Sequence, residues 1–478
     1  IEPKTVWHFF NEVCRVPRPS RHEEKMIGFL LAFADAHQLE YKKDEAGNIV
    51  IKKPGTKGLE QGKTIILQSH MDMVCEKNEG VVHDFFNDPI VPVVENGWVR
   101  ALHTTLGADC GIGIAASLAV LAAGDLVHPP IEALFTVDEE TGLTGAKALQ
   151  AGMLEGKILL NLDSEDEGEI FIGCAGGIDT AGTFRYTPEP VPGHFTAFKI
   201  GISGLQGGHS GDDIEKGRGN SIKILNRFLY QFTETCECRI AFVQGGNLRN
   251  AIPREASVVV VVPPDKKEHL AIELNHFRAE MENELFRKEP RFKIALESTA
   301  TPESVMDRES QQKLIRLLYA MPHGVHSMSF RMPGMVESST NLASIKMKPD
   351  SVIEIVTSQR SDQESGKQDI FQLVETVFRL GGAEVKRGDG YCGWTPNPLS
   401  HTLAVSERCY EALFGVKPVV RSIHAGLECG LFLEKFPDLD MISFGPTLRG
   451  VHSPDEKIEI ASVEKFWKFL TALLPELA

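Results

Sequence analysis

Three apolar segments in the first third of the chain each end in side chains that can bind a metal ion. The three ends are His70 and Asp72 in KTIILQSHMD, Glu139 and Glu140 in IEALFTVDEE, and Asp163 in KILLNLDSED. Strand-like and helix-like patterns alternate through this part of the chain, which predicts βαβ units and a mainly parallel sheet. In such sheets functional groups collect beyond the carboxyl ends of the strands. The sequence therefore predicts that these side chains meet at one edge of a sheet.

Length and composition limit the class of protein. The chain has 478 residues, 42% of them hydrophobic, which is more than one hydrophobic core usually organises, so we expect two domains. Lys+Arg 50 against Asp+Glu 66 gives a net charge of −16. A protein this acidic repels phosphate backbones, which excludes nucleic acid as an expected partner.

The sequence also favours a cytoplasmic protein with no membrane partner. The longest apolar stretch, 112–123, is interrupted by Gly113 and Ser117 and is too short to span a bilayer. The first residues, IEPKTVWHFF, lack the basic segment and long apolar core of a signal peptide. The nine cysteines are scattered and contain no CxxC pair, which predicts reduced thiols.

The character of the sequence changes twice along the chain. An α/β part over residues 1–185 is followed by a β-rich insertion over 186–388, and α/β patterning resumes over 389–478. Two stretches of the insertion, 239–262 and 328–360, resemble each other weakly. Each is predicted as a strand, a glycine-containing loop with an asparagine, and a β-branched strand, which is consistent with an internally duplicated α+β unit.

Each polar residue has an ordinary structural explanation as well as a chemical one. His70 and Asp72, at positions i and i+2 of a strand, face the same way, so the carboxylate can orient the imidazole of a metal ligand; the alternative is a polar strand end. Consecutive acids at 138–140 repel one another unless a cation is near, which indicates a metal site. The alternative explanation is a solvent-exposed acidic turn. With a metal, one glutamate can bind while its neighbour acts as general base.

Further candidates lie in glycine-containing segments. Asp109 opens an apolar helix, where an N-cap is the simpler interpretation. Cys110 beside it lacks the His–Asn arrangement of a thiol nucleophile. His209 in LQGGHSGDD and His452 in RGVHSPDE would each be an ordinary loop histidine when considered alone.

The candidate residues taken together indicate a metal site far more specifically than any one of them does alone. Two histidines and three acids supply five nitrogen and oxygen ligands without a thiolate: His70, Asp109, Glu140, Asp163 and His452. That is too many for one tetrahedral zinc with an open position. It suits two metals about 3.5–4 Å apart that share a carboxylate and a water. Mixed imidazole and carboxylate ligation favours Zn²⁺, with Mn²⁺ or Co²⁺ as substitutes.

The motifs resemble those of a known family and occur in its order. They are SHMDMV, GADCGIG, DEETGLTGA, NLDSED, GGHSG, RNAIP and GVHSPDE. Together they resemble the co-catalytic zinc exopeptidase family of aminoacylases, dipeptidases and carnosinases over nearly the whole chain. SHMDMV and IHAGLECG are most similar to its aminoacyl-histidine dipeptidase branch. The resemblance implies an α/β fold, with a mixed sheet flanked by helices and an inserted α+β lid domain.

The resemblance also implies roles for the metal-site residues. His70 and Asp163 would hold one zinc, Glu140 and His452 the other, and Asp109 would bridge them. Asp72 would orient and polarise His70. Glu139 would take a proton from the water between the metals and pass it to the leaving amine. The peptide bond from Asp109 to Cys110 would be cis.

In the lid the resemblance implies a second group of residues. His209 would stabilise the oxyanion of the scissile carbonyl, and Arg360 would clamp the terminal carboxylate of the substrate. Without the resemblance, Arg360 would be an exposed strand-end arginine. Asn250 and Gly426 would be substrate neighbours. The long, doubled lid resembles dipeptidase forms in which the second half imitates a partner's lid, so the lid by itself does not imply dimerisation. The expected state is a monomer or a homodimer.

The expected activity is hydrolysis of unblocked dipeptides of the Xaa-His type, such as carnosine, by a zinc-dependent metallopeptidase. One alternative is a related amidohydrolase, or aminoacylase, that acts on N-acyl amino acids with the same metal core. Another is a di- or tripeptidase of broader specificity. A binding protein that keeps the fold without catalysis is disfavoured, because Glu139 and all five ligands are present together.

Overall fold

The structure is a computed structural model that describes residues 1–478, and it divides into two compact units. Unit 1 comprises Ile1–Cys174, Trp394–Ser422 and Leu427–Ala478. Unit 2 comprises Ala175–Gly393 and Ile423–Gly426.

Twelve α-helices occur, and nine of them overlap segments in which the hydrophobic periodicity of the sequence predicts a helix. Those segments are 4–15, 22–38, 111–123, 219–234, 267–286, 304–320, 368–379, 402–413 and 461–473. The twelve helices are α1 Lys4–Cys14, α2 Glu24–Ala36, α3 Ala108–Ala122, α4 Glu139–Gly142, α5 Thr144–Ala148, α6 Ser221–Phe232, α7 Lys267–Glu284, α8 Arg308–Ala320, α9 Glu364–Leu380, α10 His401–Phe414, α11 Glu428–Lys435 and α12 Ile460–Glu476. None of the twelve combines the length and the apolar character that crossing a bilayer requires.

The strands are more numerous than the sequence patterns predict. They are β1 Glu40–Lys43, β2 Ile49–Lys53, β3 Ile65–His70, β4 Pro92–Glu95, β5 Trp98–Ala101, β6 Ile131–Thr136, β7 Ile158–Asn161, β8 Glu169–Cys174, β9 Gly176–Arg185, β10 Pro188–Pro190, β11 Thr196–Ser203, β12 Arg239–Gly245, β13 Ala256–Val262, β14 Lys293–Ser298, β15 Ser304–Met306, β16 Gly324–Met328, β17 Val336–Lys348, β18 Val352–Ser361, β19 Glu384–Tyr391, β20 Val419–Ile423, β21 Asp440–Ser443, β22 Leu448–Arg449 and β23 Lys457–Glu459. Most of the additional strands are short, partly exposed or rich in glycine, so they lack a clear apolar pattern.

Unit 1 is built on a sheet of eight strands, which is mixed, as the family resemblance implies. Its order is β1-β2-β6-β3-β7-β21-β8-β20. The central strands β6, β3, β7 and β21 run parallel, and β3, β6 and β7 are buried along their whole length. Burial on both faces explains why these strands are continuous apolar runs. Because they are parallel, their polar carboxyl ends lie at the same edge.

Helix α3 is almost entirely buried in unit 1. Ile112, Ala115 and Ala119 share a hydrophobic cluster with Val6 and Phe10 of α1. The small residues of α3 permit this close packing. The first turn is irregular: Asp109 has extended dihedral angles (φ −82°, ψ 114°), and its peptide bond to Cys110 is cis, as expected.

Unit 2 begins before the linker at which the sequence predicts a boundary. The predicted boundary at 185/186 lies at the end of β9, whereas the compact units divide after Cys174. Strand β9 pairs with both β18 and β19, which places it inside the sheet of unit 2. The glycines of β9 weaken its strand pattern in the sequence.

The nine-stranded sheet of unit 2 contains the same topology twice. The order is β14-β11-β13-β12-β17-β18-β9-β19, with β16 added beside β17. Strands β11, β12, β13 and β14 with α6 and α7 follow the order βαββαβ, as do β9, β17, β18 and β19 with α8 and α9. The two halves meet through β12 and β17. The segments 239–262 and 328–360, which the sequence shows as alike, contain the second and third strands of these halves.

Gly182 allows helix α9 to pack on the sheet of unit 2. A Cβ atom on Gly182 in β9 would lie 2.2 Å from Cε1 of Phe378, a fully buried ring of α9. We expect Gly182→Ala to lower the free energy of unfolding by about 1–3 kcal/mol, because the added methyl group displaces a packed ring. Urea unfolding monitored by circular dichroism measures the change.

Gly201→Ala is the matched control for this substitution. Gly201 also lies in a strand of unit 2, but a Cβ atom there meets no atom within 4 Å. We expect this variant to unfold at the wild-type urea concentration or slightly above it. Equal destabilisation by the two substitutions would show that the packing of Phe378 is not the cause.

Candidate functional site

The carboxyl ends of three parallel strands bring the predicted metal ligands of unit 1 together. His70 is the last residue of β3, Glu140 follows β6, and Asp163 follows β7. Asp109 comes from the irregular start of α3, and His452 from the loop between β22 and β23. Five residues that are remote in sequence thus share one site.

The carboxylate of Asp109 lies between the two imidazoles. Its Oδ1 is 3.1 Å from Nε2 of His70, and its Oδ2 is 3.1 Å from Nε2 of His452. Oδ1 of Asp163 is 3.3 Å from the same nitrogen of His70, and Oε2 of Glu140 is 3.0 Å from the same nitrogen of His452. The arrangement has two halves joined by Asp109.

Asp72 lies behind His70, on the side away from Asp109. Its Oδ1 is 3.2 Å from Nδ1 of His70, and its carboxylate accepts hydrogen bonds from the backbone N–H groups of Glu139 and Glu140 and from Ser20 Oγ. Burial alone would raise the pKa of Asp72, but the hydrogen bonds with His70 and Ser20 lower it to about 2. The ionised carboxylate therefore holds the imidazole with Nε2 towards the site.

The donor set fits a pair of divalent cations. Two metal-competent groups are present, one of His70, Asp109 and Glu140, the other of His70, Cys110 and Asp163. Asp163 Oδ1 is buried and accepts no hydrogen bond. Burial raises the pKa of Asp163 to about 6, and repulsion from the Asp109 carboxylate adds to the shift against the opposing effect of His70. Cations would remove this repulsion and satisfy the unpartnered oxygen.

Cys110 is close to the site but is a poor candidate for a ligand. Its Sγ donates a hydrogen bond to the carbonyl oxygen of Leu162 at 3.4 Å. Burial, with the nearby charge of Asp163, raises the pKa of the Cys110 thiol well above its ordinary value. A thiol binds metals and attacks carbonyls as the thiolate, so this geometry disfavours both functions.

Glu139 has the environment of a general base. Burial raises the pKa of Glu139 well above its ordinary value, and the charges of Asp163, Glu428 and Glu140 add to the shift, against the opposing effect of His70. A carboxylate with a raised pKa accepts a proton more readily near neutral pH. The site therefore places a proton acceptor next to the metal-competent residues.

Glu456 is a structural support of the site that the sequence patterns do not reveal. Only 2% exposed, it accepts hydrogen bonds from four consecutive backbone N–H groups, those of Leu106, Gly107, Ala108 and Asp109. These bonds fix the segment that carries Asp109, whose carboxylate contacts both imidazoles. The only hint in the sequence is the position of Glu456 four residues after His452 in GVHSPDE.

The sequence patterns also do not reveal a buried polar network beneath the metal-competent residues. Gln68 Nε2 donates to Glu428 Oε2 at 2.6 Å, and Thr136 Oγ1 donates to the same oxygen at 2.8 Å. Asn161 Nδ2 donates to Gln68 Oε1 at 2.5 Å, and Ser443 donates to Asn161 Oδ1. These bonds connect the ends of β3, β6, β7 and β21. Burial raises the pKa of Glu428 to about 8.

Unit 2 gathers the other predicted residues in a second cluster. Nδ1 of His209 accepts hydrogen bonds from the backbone N–H groups of Gly211 and Asp212, at 3.3 and 3.2 Å. Burial and the neighbouring charge of Arg360 lower the pKa of His209. The imidazole is therefore neutral near pH 7, with its proton on Nε2.

The remaining predicted residues surround this histidine. Asn250 contributes its carbonyl oxygen, which accepts the N–H of Ser210 at 2.8 Å, while its side chain is exposed. Arg360 is 6% exposed, unlike the exposed arginine that its position at a strand end would suggest. Gly426 lies against the ring of Tyr391, a residue that sequence reasoning missed.

The chain is similar to known peptidases over its full length. The model of peptidase family M20/M25/M40 matches residues 66–476. The cytosol non-specific dipeptidase of Escherichia coli is 43% identical over 477 residues, which cover 100% of this chain and 98% of that protein.

Solved structures show the same relationship. Aminoacylhistidine dipeptidase from Vibrio alginolyticus superposes with a TM-score of 0.92 at 44% identity, covering 99% of this chain and 97% of that one. Human carnosine dipeptidase 1 has a TM-score of 0.51 at 13% identity, with 99% and 96% of the two chains covered, and supports the fold alone.

Substitution of Glu456 tests how the shared carboxylate is held. In Glu456→Gln, an amide nitrogen replaces one of the two acceptor oxygens and would face backbone N–H donors. We expect the free energy of unfolding to fall by about 1–3 kcal/mol and any added divalent metal ion to bind more weakly. Urea unfolding and competition for the added metal ion with a chromogenic chelator measure the two effects.

Asp455→Asn is the matched control, since it removes the same charge from the neighbouring exposed residue. We expect wild-type stability and wild-type affinity for the divalent metal ion in this variant. A wild-type metal affinity in Glu456→Gln would contradict the role of Glu456 in holding Asp109.

Proposed function

Because the chain belongs to peptidase family M20/M25/M40, we propose that it is a metal-dependent dipeptidase that hydrolyses unblocked Xaa-His dipeptides such as carnosine. The observation that carries the proposal is the carboxylate of Asp109, with one oxygen at each of two imidazoles and a further carboxylate beside each imidazole. The similarity to a named aminoacylhistidine dipeptidase over 99% of the chain supports the substrate class.

In this proposal two Zn²⁺ ions occupy the site, for which Mn²⁺ or Co²⁺ can substitute. His70 and Asp163 would hold one ion, Glu140 and His452 the other, and Asp109 both. When bound, such a pair polarises a carbonyl group and makes water a stronger nucleophile at neutral pH. Asp72 would keep the Nε2 lone pair of His70 directed into the site through its contact with Nδ1.

Glu139 would perform the proton transfers. Its carboxylate would accept a proton from the attacking water and deliver it to the nitrogen of the leaving amine, so that one group serves as base and then as acid. Its buried position next to Asp163 and Glu140, which raises its pKa, suits both steps. Substrate binding would exclude bulk water and keep the proton on this path.

Residues of unit 2 would bind and polarise the substrate. The Nε2–H of His209 would donate a hydrogen bond to the carbonyl oxygen as it gains negative charge, because its Nδ1 already accepts from two backbone groups. Arg360 would pair with the terminal carboxylate of the dipeptide. Asn250 and Gly426 would border the substrate beside these two side chains.

A broader dipeptidase activity is a second candidate. The E. coli relative is named a non-specific dipeptidase, and it is 43% identical to this chain. The two candidates share the metal site and differ only in how the residues of the dipeptide are selected. In either case we propose a cytoplasmic location, because the E. coli relative is named a cytosol dipeptidase.

Metal analysis combined with peptide hydrolysis tests the proposed function. We expect two zinc ions per chain by mass spectrometry of the metals, and release of histidine from carnosine that a chelator abolishes. Ala-Ala and N-acetyl-alanine serve as comparison substrates. Equal cleavage of Ala-Ala would favour the broader dipeptidase, and cleavage of N-acetyl-alanine alone would favour an aminoacylase. A folded protein that neither binds zinc nor gains activity from it would contradict the site.

Glu139→Gln separates proton transfer from metal binding. The substitution removes the proton acceptor but leaves the five proposed ligands in place. We expect kcat to fall by about 10²–10⁴-fold with an unchanged content of zinc. A kcat near that of the wild type would show that another group is the base.

His209→Ala tests the proposed oxyanion contact. We expect kcat to fall by about 10²–10³-fold with zinc content unchanged, because one donor to the developing charge is lost. His326→Ala, which removes an exposed histidine of unit 2, is the control and should keep wild-type kinetics. Loss of zinc from His209→Ala would contradict its assignment to substrate.

A further inference from the structure

Arg360 is a buried cation without an anionic partner. It is 6% exposed, forms no ion pair, and its Nε has no hydrogen-bond partner. Nη1 donates to the hydroxyl of Tyr391 at 2.9 Å, and Nη2 contacts Ser210 Oγ at 3.4 Å. A buried charge whose hydrogen-bond partners are all neutral is costly, so this guanidinium can accommodate an anionic group of a ligand.

Tyr391 and Arg360 meet across an intervening strand. Arg360 in β18 pairs with Gly177 in β9, and Gly177 pairs in turn with Tyr391 in β19. Alternate strands are about 10 Å apart, so the two side chains can touch only by reaching over the residue between them. Because that residue is glycine, the tyrosine hydroxyl reaches the guanidinium.

Two glycines fix the orientation of the tyrosine ring. A Cβ atom on Gly177 would lie 2.7 Å from Cε1, Cζ and Oη of Tyr391. A Cβ atom on Gly426 would lie 2.7 Å from Cε2 of the same ring. The ring therefore occupies a slot that exists only because both neighbours lack side chains. The direction of its hydroxyl is determined by this packing.

The contact with Tyr391 selects which edge of the guanidinium is available. Tyr391 engages Nη1, whereas Nε is unpartnered and Nη2 has only the long contact with Ser210. The Nε and Nη2 hydrogens point in the same direction and match the two oxygens of a carboxylate. The free edge is therefore the one that supports bidentate binding.

We propose that Tyr391 is a positioning residue that holds the Nε–Nη2 edge of Arg360 open for the terminal carboxylate of the substrate. This inference rests on the proposed function, in which Arg360 binds that carboxylate. Tyr391 thereby contributes to the preference for a peptide with a free carboxyl terminus over a peptide that continues or ends in an amide. The space between Gly177 and Gly426 that holds the ring is needed for the same positioning of Arg360.

The test compares a dipeptide with its C-terminal amide. For carnosine and carnosine amide, kcat and KM are measured in the zinc-loaded wild type and in Tyr391→Phe, which loses only the hydroxyl. We expect the preference for the acid over the amide, as a ratio of kcat/KM, to fall by about tenfold in Tyr391→Phe, through KM of the acid. Constants for the amide should remain within about twofold of the wild type. An unchanged preference, or an equal loss for acid and amide, would overturn the positioning role.

Two further variants separate this inference from the proposed function. Arg360→Ala should abolish the preference for the acid; if it keeps the wild-type preference, the proposed carboxylate clamp itself is wrong. Gly177→Ala should reproduce the effect of Tyr391→Phe by displacing the ring, and the double variant should be no worse than either single one. Gly201→Ala, a strand glycine of unit 2 with open space around it, is the control and should retain the wild-type preference. Additive losses in the double variant would contradict a shared mechanism.

Discussion

Mutual repulsion among buried carboxylates is the constraint on which the site of unit 1 depends. Asp109 contacts both imidazoles, Asp163 lies 3.3 Å from that of His70, and Glu140 lies 3.0 Å from that of His452. The side chain of Asp109 is only 13% exposed. Such a cluster persists only if cations balance it or if the rest of the fold holds it in place. Glu456 supplies part of that support, because its carboxylate accepts four backbone N–H groups in the segment that ends at Asp109.

The second support is a buried polar network that connects the strand ends. Arg18 donates to the carbonyl oxygens of Met71, Asp72 and Gly107, which joins the segment after β3 to the segment before α3. Gln68 and Glu428 join β3 to neighbouring strands. Each bond is strong in the low dielectric of the interior, and each would leave a costly unpaired group if broken. The fold therefore tolerates little movement among the candidate ligands.

Unit 2 follows a different electrostatic principle. Its cluster of candidate residues is centred on one buried positive charge, that of Arg360, whose hydrogen-bond partners are neutral, rather than on repelling carboxylates. Neutral His209 beside it keeps a hydrogen available on Nε2, because burial and then the charge of Arg360 lower the pKa of its imidazole and disfavour a second proton. The glycines around Tyr391 make this arrangement possible. Under the proposed function, the metal pair would act on the peptide bond and Arg360 would bind the terminal carboxylate of the substrate.

The sequence by itself determined the local elements and the chemistry at their ends. Buried parallel strands are apolar runs, so β3, β6 and β7 and the acids and histidine that follow them were predictable, as were the mixed sheet and the inserted lid-like region. Only the tertiary structure decided which distant groups support the candidate site residues. Glu456 acts on residues 347 to 350 positions away, and Tyr391 reaches Arg360 only through the register of three strands with a central glycine. Such contacts leave no periodic pattern in a sequence, because they depend on how the elements pack and not on the residues next to them.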